Sequence, residues 1–216
     1  TTDVKAFNAG NKSDARDARA IWMATKSGVT REVAVKSEEQ QAVLCMHRIL
    51  EIKKKHRVAL TNHIRGLLTE FGLVLPKGLK ALREGLKEVL PKLEKVAPKM
   101  LCEEILELWQ DVLRLKEQQA AIEEKLTVWV KTNLDCQRLQ AIPGVGLLTA
   151  TAVVSTIGDA NTFKNGRQLA AFFGVAPAHT GSGGKITVLG MSKRGDNYVR
   201  KLLIHCARCL VCKCKE

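Results

Sequence analysis

The chain has 216 residues, with 35 Lys and Arg against 22 Asp and Glu, a formal charge of +13. Hydrophobic residues make up 45%, ordinary for a globular protein, and no apolar run approaches the roughly 18–20 residues of a membrane-spanning helix, which excludes an integral membrane protein of helical type. Aromatic residues are only 4%, with Tyr198 the only tyrosine, which argues against single-strand binding mainly by base stacking, while the positive excess points to an anionic partner, above all nucleic acid.

Residues 14–26 (DARDARAIWMATK) are rich in Ala and Arg and predict a short helix that stops at Gly28. Alternation over 29–35 predicts a brief strand, the remnant of an α/β unit. Ser37, with Gln40 three positions on, has the pattern of a capping box opening a long helix. Along it Val43, His47, Leu50, Leu60, Ile64, Leu67 and Leu68 recur at spacings of three and four, until Gly72 and Pro76-Lys77-Gly78 end it.

The same rhythm runs over 79–126, through Leu82, Leu86, Leu93, Ile105, Val112 and Leu126. It predicts a helical hairpin or coiled coil, broken at Pro91 and Pro98 where backbone donors are missing, with Pro98 in the first turn of the second arm. Such an arm is expected to mediate packing or dimerisation. From about 134 the content of Gly and small residues rises, and helices are expected at 147–157, 165–173 and 196–212, the last after a loop at 176–195. The fold class is therefore mainly α.

Four groups of residues carry possible chemistry. Ala141-Ile142-Pro143-Gly144-Val145-Gly146 before an apolar helix fits a helix-hairpin-helix, in which Gly144 and Gly146 let backbone N–H groups approach a phosphate. A tight turn between two packed helices fits the same residues. Thr180-Gly181-Ser182-Gly183-Gly184-Lys185 places a sterically open serine near Lys185, Lys193, Arg194, Arg200 and Lys201, cations able to hold a phosphate. It lacks the P-loop spacing, and composition alone favours a solvated basic loop.

Asp14 and Asp17, three apart, share one helix face and offer oxygen ligands suited to Mg²⁺, but two carboxylates are few for a nuclease-type site, and composition alone favours a solvated helix start with Asp14 favourable to the dipole. Cys206, Cys209, Cys212 and Cys214 with His205 have zinc-compatible types and spacings. Cys206 also falls on an apolar stripe with Val199, Leu202, Leu203 and Leu210, which favours a small core residue over a zinc ligand. His47, His56, His63 and His179 have no evident partners and are expected to be structural or solvent-facing. The seven cysteines of this core-forming chain are expected to be reduced, and the start Thr1-Thr2-Asp3-Val4, without Met or a secretory signal, fits a cytosolic, processed or partial chain.

Taken in order, NKSDARDARAI, VKSEEQQAVLCMHR, LTNHIRGLLTEFGLVLPKG, AIPGVGLLTATAVVSTIGD, GRQLAAFFGVAP and GSGGKITVLGMSKRGDNYVRKLLIH resemble the DEDD transposases of bacterial insertion sequences, the group related to pilin-gene invertases and understood as bridge-RNA-guided recombinases. The resemblance covers nearly the whole chain except 79–133 and the last few residues. It implies the C-terminal part of a RuvC-like, RNase H-type α/β domain with the long helix at 1–75, a coiled-coil or helical hairpin at 76–133, and a C-terminal helical transposase domain with the helix-hairpin-helix and serine loop at 134–216.

By resemblance Ser182 is the nucleophile, attacking a DNA phosphodiester to form a phosphoserine link. Asp14 and Asp17 match the last two acids of a four-carboxylate Mg²⁺ site. Gly144, Gly146, Lys185, Lys193, Arg194 and Arg200 are the nucleic-acid contacts expected. Partners implied are DNA, a bridge-type RNA and further copies of the chain as a dimer or tetramer, with no membrane, in the bacterial cytoplasm at the nucleoid.

Two departures qualify this. The first aspartate and the glutamate of the tetrad belong N-terminal to Asp14, where Asp3 is the only acid, so little recombination is expected from this polypeptide alone. A second hydroxyl residue beside the serine is replaced by Gly181, which leaves Thr180 and Ser192 as alternatives to Ser182. The competing readings are a non-catalytic nucleic-acid-binding remnant and a zinc-binding adaptor.

Overall fold

The computed structural model describes residues 2–8, 13–28, 34–182 and 185–213, and its chain divides into two compact units, Thr1–Val35 and Lys36–Glu216. The first holds α1 (Thr2–Lys5) and α2 (Asp14–Lys26). Ser13 caps α2, its side chain accepting from the Arg16 N–H, and Asp14 and Asp17 in the first turn with Lys26 in the last complement the helix dipole. Of the expected strand at 29–35, residues 29–33 lie outside the described residues, and 34–35 belong to no helix or strand.

In the second unit α3 (Glu38–Glu70) opens with both bonds of the expected capping box: Gln40 N–H to Ser37 Oγ at 3.2 Å and Ser37 N–H to Gln40 Oε1 at 3.0 Å. It closes with Gly72 at φ +74°, the Gly72 N–H donating to Thr69 O and the Leu73 N–H to Leu68 O. That is a Schellman cap, which a left-handed glycine makes at little strain.

Pro91 does not break its helix. α4 (Leu79–Leu93) runs through it for two more residues, because a proline in the last turn forfeits only the bond to the Lys87 carbonyl. Pro98 is the N-cap of α5 (Lys99–Thr132) rather than part of its first turn. The expected two-armed hairpin is also corrected. α5 lies antiparallel to α3, tied by Trp129 Nε1–H to Glu39 (2.6 Å), Lys54 to Glu123 (3.0 Å) and Lys53 to Gln118 (2.6 Å). The fully buried Ile64 and Leu68 of α3, Leu82 and Leu93 of α4, and Ile105 and Val112 of α5 form one core. The apolar stripe of α3 is thus covered by both later helices, across the sequence division at 75/76.

Short α6 (Leu134–Gln140) leads by a turn into α7 (Leu147–Ile157), whose sequence LLTATAVVSTI holds only apolar and small hydroxyl residues and no charge. A helix of that kind belongs inside. Thr149 to Val153 and Ser155 to Thr156 are buried, with α3, α5, α6 and the C-terminal α9 (Asn197–Lys213) around them. Between α7 and α9 come a single 3-10 turn, α8 (Gly166–Phe172) and two antiparallel strands, β1 (Pro177–Ser182) and β2 (Lys185–Met191). Among the described residues no helix is long and apolar enough to cross a membrane.

Candidate functional site

The segment expected to be a loop at 176–195 is largely a β-hairpin. Its β2 includes the β-branched run Ile186-Thr187-Val188, a strand-forming composition. The register pairs Thr180 with Thr187, Gly181 with Ile186 and Ser182 with Lys185, with a bulge between Pro177 and His179. Ser182 therefore ends β1 with Lys185 as its backbone partner. Thr180 lies two positions back along β1, and Ser192 lies beyond the far end of β2, so the hairpin separates the two alternatives from its tip.

A two-stranded hairpin is marginal by itself, and this one is held at its base by two interlocked turns. Gly174 (φ +70°) and Gly195 (φ +90°) both adopt left-handed backbone. A Cβ on Gly174 would stand 1.7 Å from the Arg194 carbonyl oxygen, and one on Gly195 2.0 Å from the Phe172 carbonyl oxygen. The Lys193 N–H donates to Gly174 O (3.1 Å) and the Ser192 N–H to Ala176 O (2.9 Å). Lys193 itself sits at φ +55°. Asp196 then starts α9, its Oδ1 accepting from the Tyr198 and Val199 N–H groups.

Arg200 is corrected from a surface nucleic-acid contact to an internal clamp. It is only 8% exposed, and its guanidinium donates to Phe173 O (3.4 Å), Arg194 O (3.2 Å) and Asn197 Oδ1 (2.9 Å). Its five-donor fork thus bridges the two turns. Lys185, Lys193 and Arg194 are exposed. The result is a rigid base that displays two cations beside a hairpin whose tip carries the serine.

At the α6–α7 turn the two glycines have different surroundings. Pro143-Gly144 occupies the central positions of a β-turn closed by Val145 N–H to Ile142 O (3.1 Å), with Gly144 at φ +83°. A Cβ there would lie 2.9 Å from Leu210 Cγ and 3.0 Å from Cys206 O, so the turn packs closely on α9 and Gly144 serves that approach. Gly146, the N-cap of α7, faces open space. The free start of α7 on that side presents backbone N–H groups able to bind an anion.

His47 is a node that sequence spacing did not reveal. Fully buried on α3, it bonds Thr151 Oγ1 of α7 through Nε2 (2.9 Å) and the Tyr198 hydroxyl of α9 through Nδ1 (2.9 Å). Thr151 already donates to Leu147 O (2.8 Å), so it accepts the Nε2–H. Nδ1 then accepts from Tyr198, which makes the ring neutral. Burial first, and then the charge of Lys54, lower its pKa from 6.5 to about 4, against a smaller opposing effect of Glu51.

The unfolded chain therefore takes up this proton below pH 6.5 while the folded chain does not until about pH 4. Stability is complete above 6.5 and is lost as pH falls towards 4, by about 3 kcal/mol. Urea unfolding followed between these pH values should show that loss in the native chain and a flatter profile in His47→Gln; identical profiles would remove the node from the account.

Asp14 is exposed and Asp17 half-buried in the first unit, with Asn8 Nδ2 donating to Asp17 Oδ1 at 2.5 Å. Ser182 is in the second unit. Among the described residues no three His, Cys, Asp or Glu side chains gather as a metal site. Cys206 is half-buried with its Sγ 3.1 Å from Thr149 Oγ1, Cys209 and Cys212 are exposed, and Cys214 lies outside the described residues. Burial pushes the Cys136 thiol up to about 12, with Asp135 adding to the effect, so it stays protonated.

Residues 136–216 match the model of the Transposase IS116/IS110/IS902 family. The chain is 42% identical, over 96% of its length, to a transposase for insertion sequence element IS1111A from Coxiella burnetii, and 40% identical over 98% to a probable family 20 transposase of Pseudomonas aeruginosa. It is also 35% identical over 95% to a transposase for insertion sequence element IS1328 from Yersinia enterocolitica. These alignments cover 57%, 63% and 60% of the relatives, so the chain spans somewhat over half of their length. The hairpin, its interlocked base and α9 all fall within the matched segment, so it is this part of the chain that is similar to the IS116/IS110/IS902 transposase family.

Proposed function

We propose that this chain is a large part of a DNA transposase of a bacterial insertion sequence that cuts and rejoins DNA through Ser182. The observation that carries the reading is the hairpin, with Ser182 opposite Lys185 in register and Lys193 and Arg194 displayed by its locked base. In the step proposed, Ser182 Oγ attacks a DNA phosphorus. A phosphoserine ester forms, one P–O bond of the strand breaks, the serine proton goes to solvent, and the leaving strand oxygen takes up a proton. The reverse attack by a strand hydroxyl rejoins DNA and frees the serine without ATP. Lys185, Lys193 and Arg194 offset the charge on the phosphoryl oxygens.

Asp14 and Asp17 are two carboxylates on one helix face, which fits Mg²⁺ as it is commonly held, by one or two carboxylates with substrate phosphate and water. Bound there, the ion would polarise the phosphate as a Lewis acid. Two further acidic ligands would come from sequence N-terminal to Asp14. The metal site and serine would meet between copies of the chain. A protein extended to the relatives' length, incubated with Mg²⁺ and DNA, should yield a covalent adduct that maps by mass spectrometry to Ser182 and disappears with EDTA. An adduct on another residue, or none, would refute the serine reading and leave the non-catalytic binder.

The start of α7 beside Gly146 would serve as a helix-hairpin-helix contact to phosphate, with Gly144 setting its turn. Three or four phosphates held there and by the exposed cations give an expected slope of log K against log salt of about −3. A flat response in DNA-binding titrations would count against these surfaces. Site choice would be set by pairing with a bridge-type RNA. Protein purified from cells carrying the whole element should then enrich one structured RNA, whereas a random mixture would argue against guidance.

A further inference from the structure

We propose that a cleft between α3 and the start of α9 takes one unpaired nucleotide of a DNA strand, a site additional to the serine hairpin. The inference rests on the nucleic-acid reading above. The cleft has a volume of about 370 Å³ and is walled by Arg48, Glu51, Ile52 and Lys55 of α3 and by Asp196 and Tyr198. Small-molecule sites run from roughly 300 to 1,000 Å³, so this one suits a single nucleotide and excludes a duplex.

Its charges are arranged for such a unit. Arg48 and Lys55 are exposed, lie two helical turns or about 10 Å apart along α3, and among the described residues neither is ion-paired. Between them Glu51 is already neutralised by Lys201 at 2.7 Å. The rim is therefore free to hold backbone phosphate. The interior offers a base the apolar side of Ile52 and the edge of the Tyr198 ring, over whose face Lys201 Nζ lies 5.6 Å from the centroid, with the Asp196 carboxylate as an acceptor for a base amino group.

Position supports the same occupant. Asp196 follows directly on Lys193-Arg194-Gly195, so the cleft is continuous with the cationic base of the hairpin. A strand whose phosphate sits on that base, once unpaired, meets the cleft as its next feature. Opening a duplex costs a few kcal/mol per base, and a pocket for the extruded base returns part of that cost.

The test uses the chain as it is, with a fluorescein-labelled single-stranded DNA, its duplex, and an abasic strand, in anisotropy titrations at one salt concentration. Ile52→Trp fills the cleft from a position that is 52% exposed, without changing charge. Arg48→Gln with Lys55→Gln empties the rim. Each variant should weaken single-strand binding about tenfold while keeping duplex affinity within about twofold. The abasic strand should bind the native chain no better than the single strand binds Ile52→Trp. Melting by circular dichroism confirms that both variants fold. Equal losses on both DNA forms, or none on either, would overturn the cleft alone, whereas failure of the native chain to bind any DNA would overturn the nucleic-acid reading with it.

Discussion

Ser182→Ala, in protein extended to the relatives' length and supplied with Mg²⁺, RNA and DNA, should lower covalent adduct formation by on the order of 10³-fold or more, to the limit of detection. The reason is chemical: alanine has no oxygen to bond phosphorus, and neighbouring cations cannot replace a missing nucleophile. The two other hydroxyl residues supply the control. Thr180 precedes Ser182 by two positions on β1 and Ser192 follows β2, away from the Lys185 partner. Thr180→Ala and Ser192→Ala should therefore leave an adduct, and its loss in either with retention in Ser182→Ala would reassign the nucleophile. DNA binding should persist in Ser182→Ala, since phosphate affinity comes from the cations and backbone N–H groups.

Gly174→Ala has the next largest effect, on stability rather than chemistry. The new Cβ would meet the Arg194 carbonyl oxygen at 1.7 Å and the Arg194 nitrogen at 2.6 Å, both backbone atoms with no rotamer to yield. The left-handed backbone at φ +70° adds strain. Together these should cost about 3–5 kcal/mol, a fall in Tm of roughly 10 °C for a chain of this size. Hydrogen exchange should quicken first around 172–196, where the lock holds the hairpin. Gly190→Ala is the comparison, because a Cβ there meets nothing within 4 Å. Similar melting of the two variants would show that the interlock does not hold the hairpin.

Much of this was legible from local pattern. The capping box at Ser37 and Gln40, the bounds of α2 and the end of α3 near Gly72 follow from bonds within a turn or two of the chain. The hairpin has a local signal too, although the residues also fit a loop. Ile186-Thr187-Val188 has strand composition, and Gly183-Gly184, which lies outside the described residues, is a two-residue hairpin dipeptide. The abundance of Gly and Ser outweighed that signal. At Pro91 the helix continues because a proline ends a helix only where lost bonds outnumber the packing that continues, and Leu93 is fully buried two residues later.

Periodicity, caps and charge are local quantities, so the order of residues alone established a mainly helical, basic chain with a glycine-flanked serine near cations, and its motif order carried the likeness to transposases. Which helix covers which stripe was decided in three dimensions. α3 pairs with α5 because its apolar face matches theirs and α4's together, a choice invisible to a single helix's rhythm. Likewise Arg200 reads as one more surface cation until the turns at 174 and 195 close on each other and place two backbone carbonyls within its reach. His47 finds Thr151 and Tyr198 only after α3, α7 and α9 meet. His47 takes its role from partners more than a hundred residues away and Arg200 from turns up to 27 residues away, and only the packed chain supplies those partners.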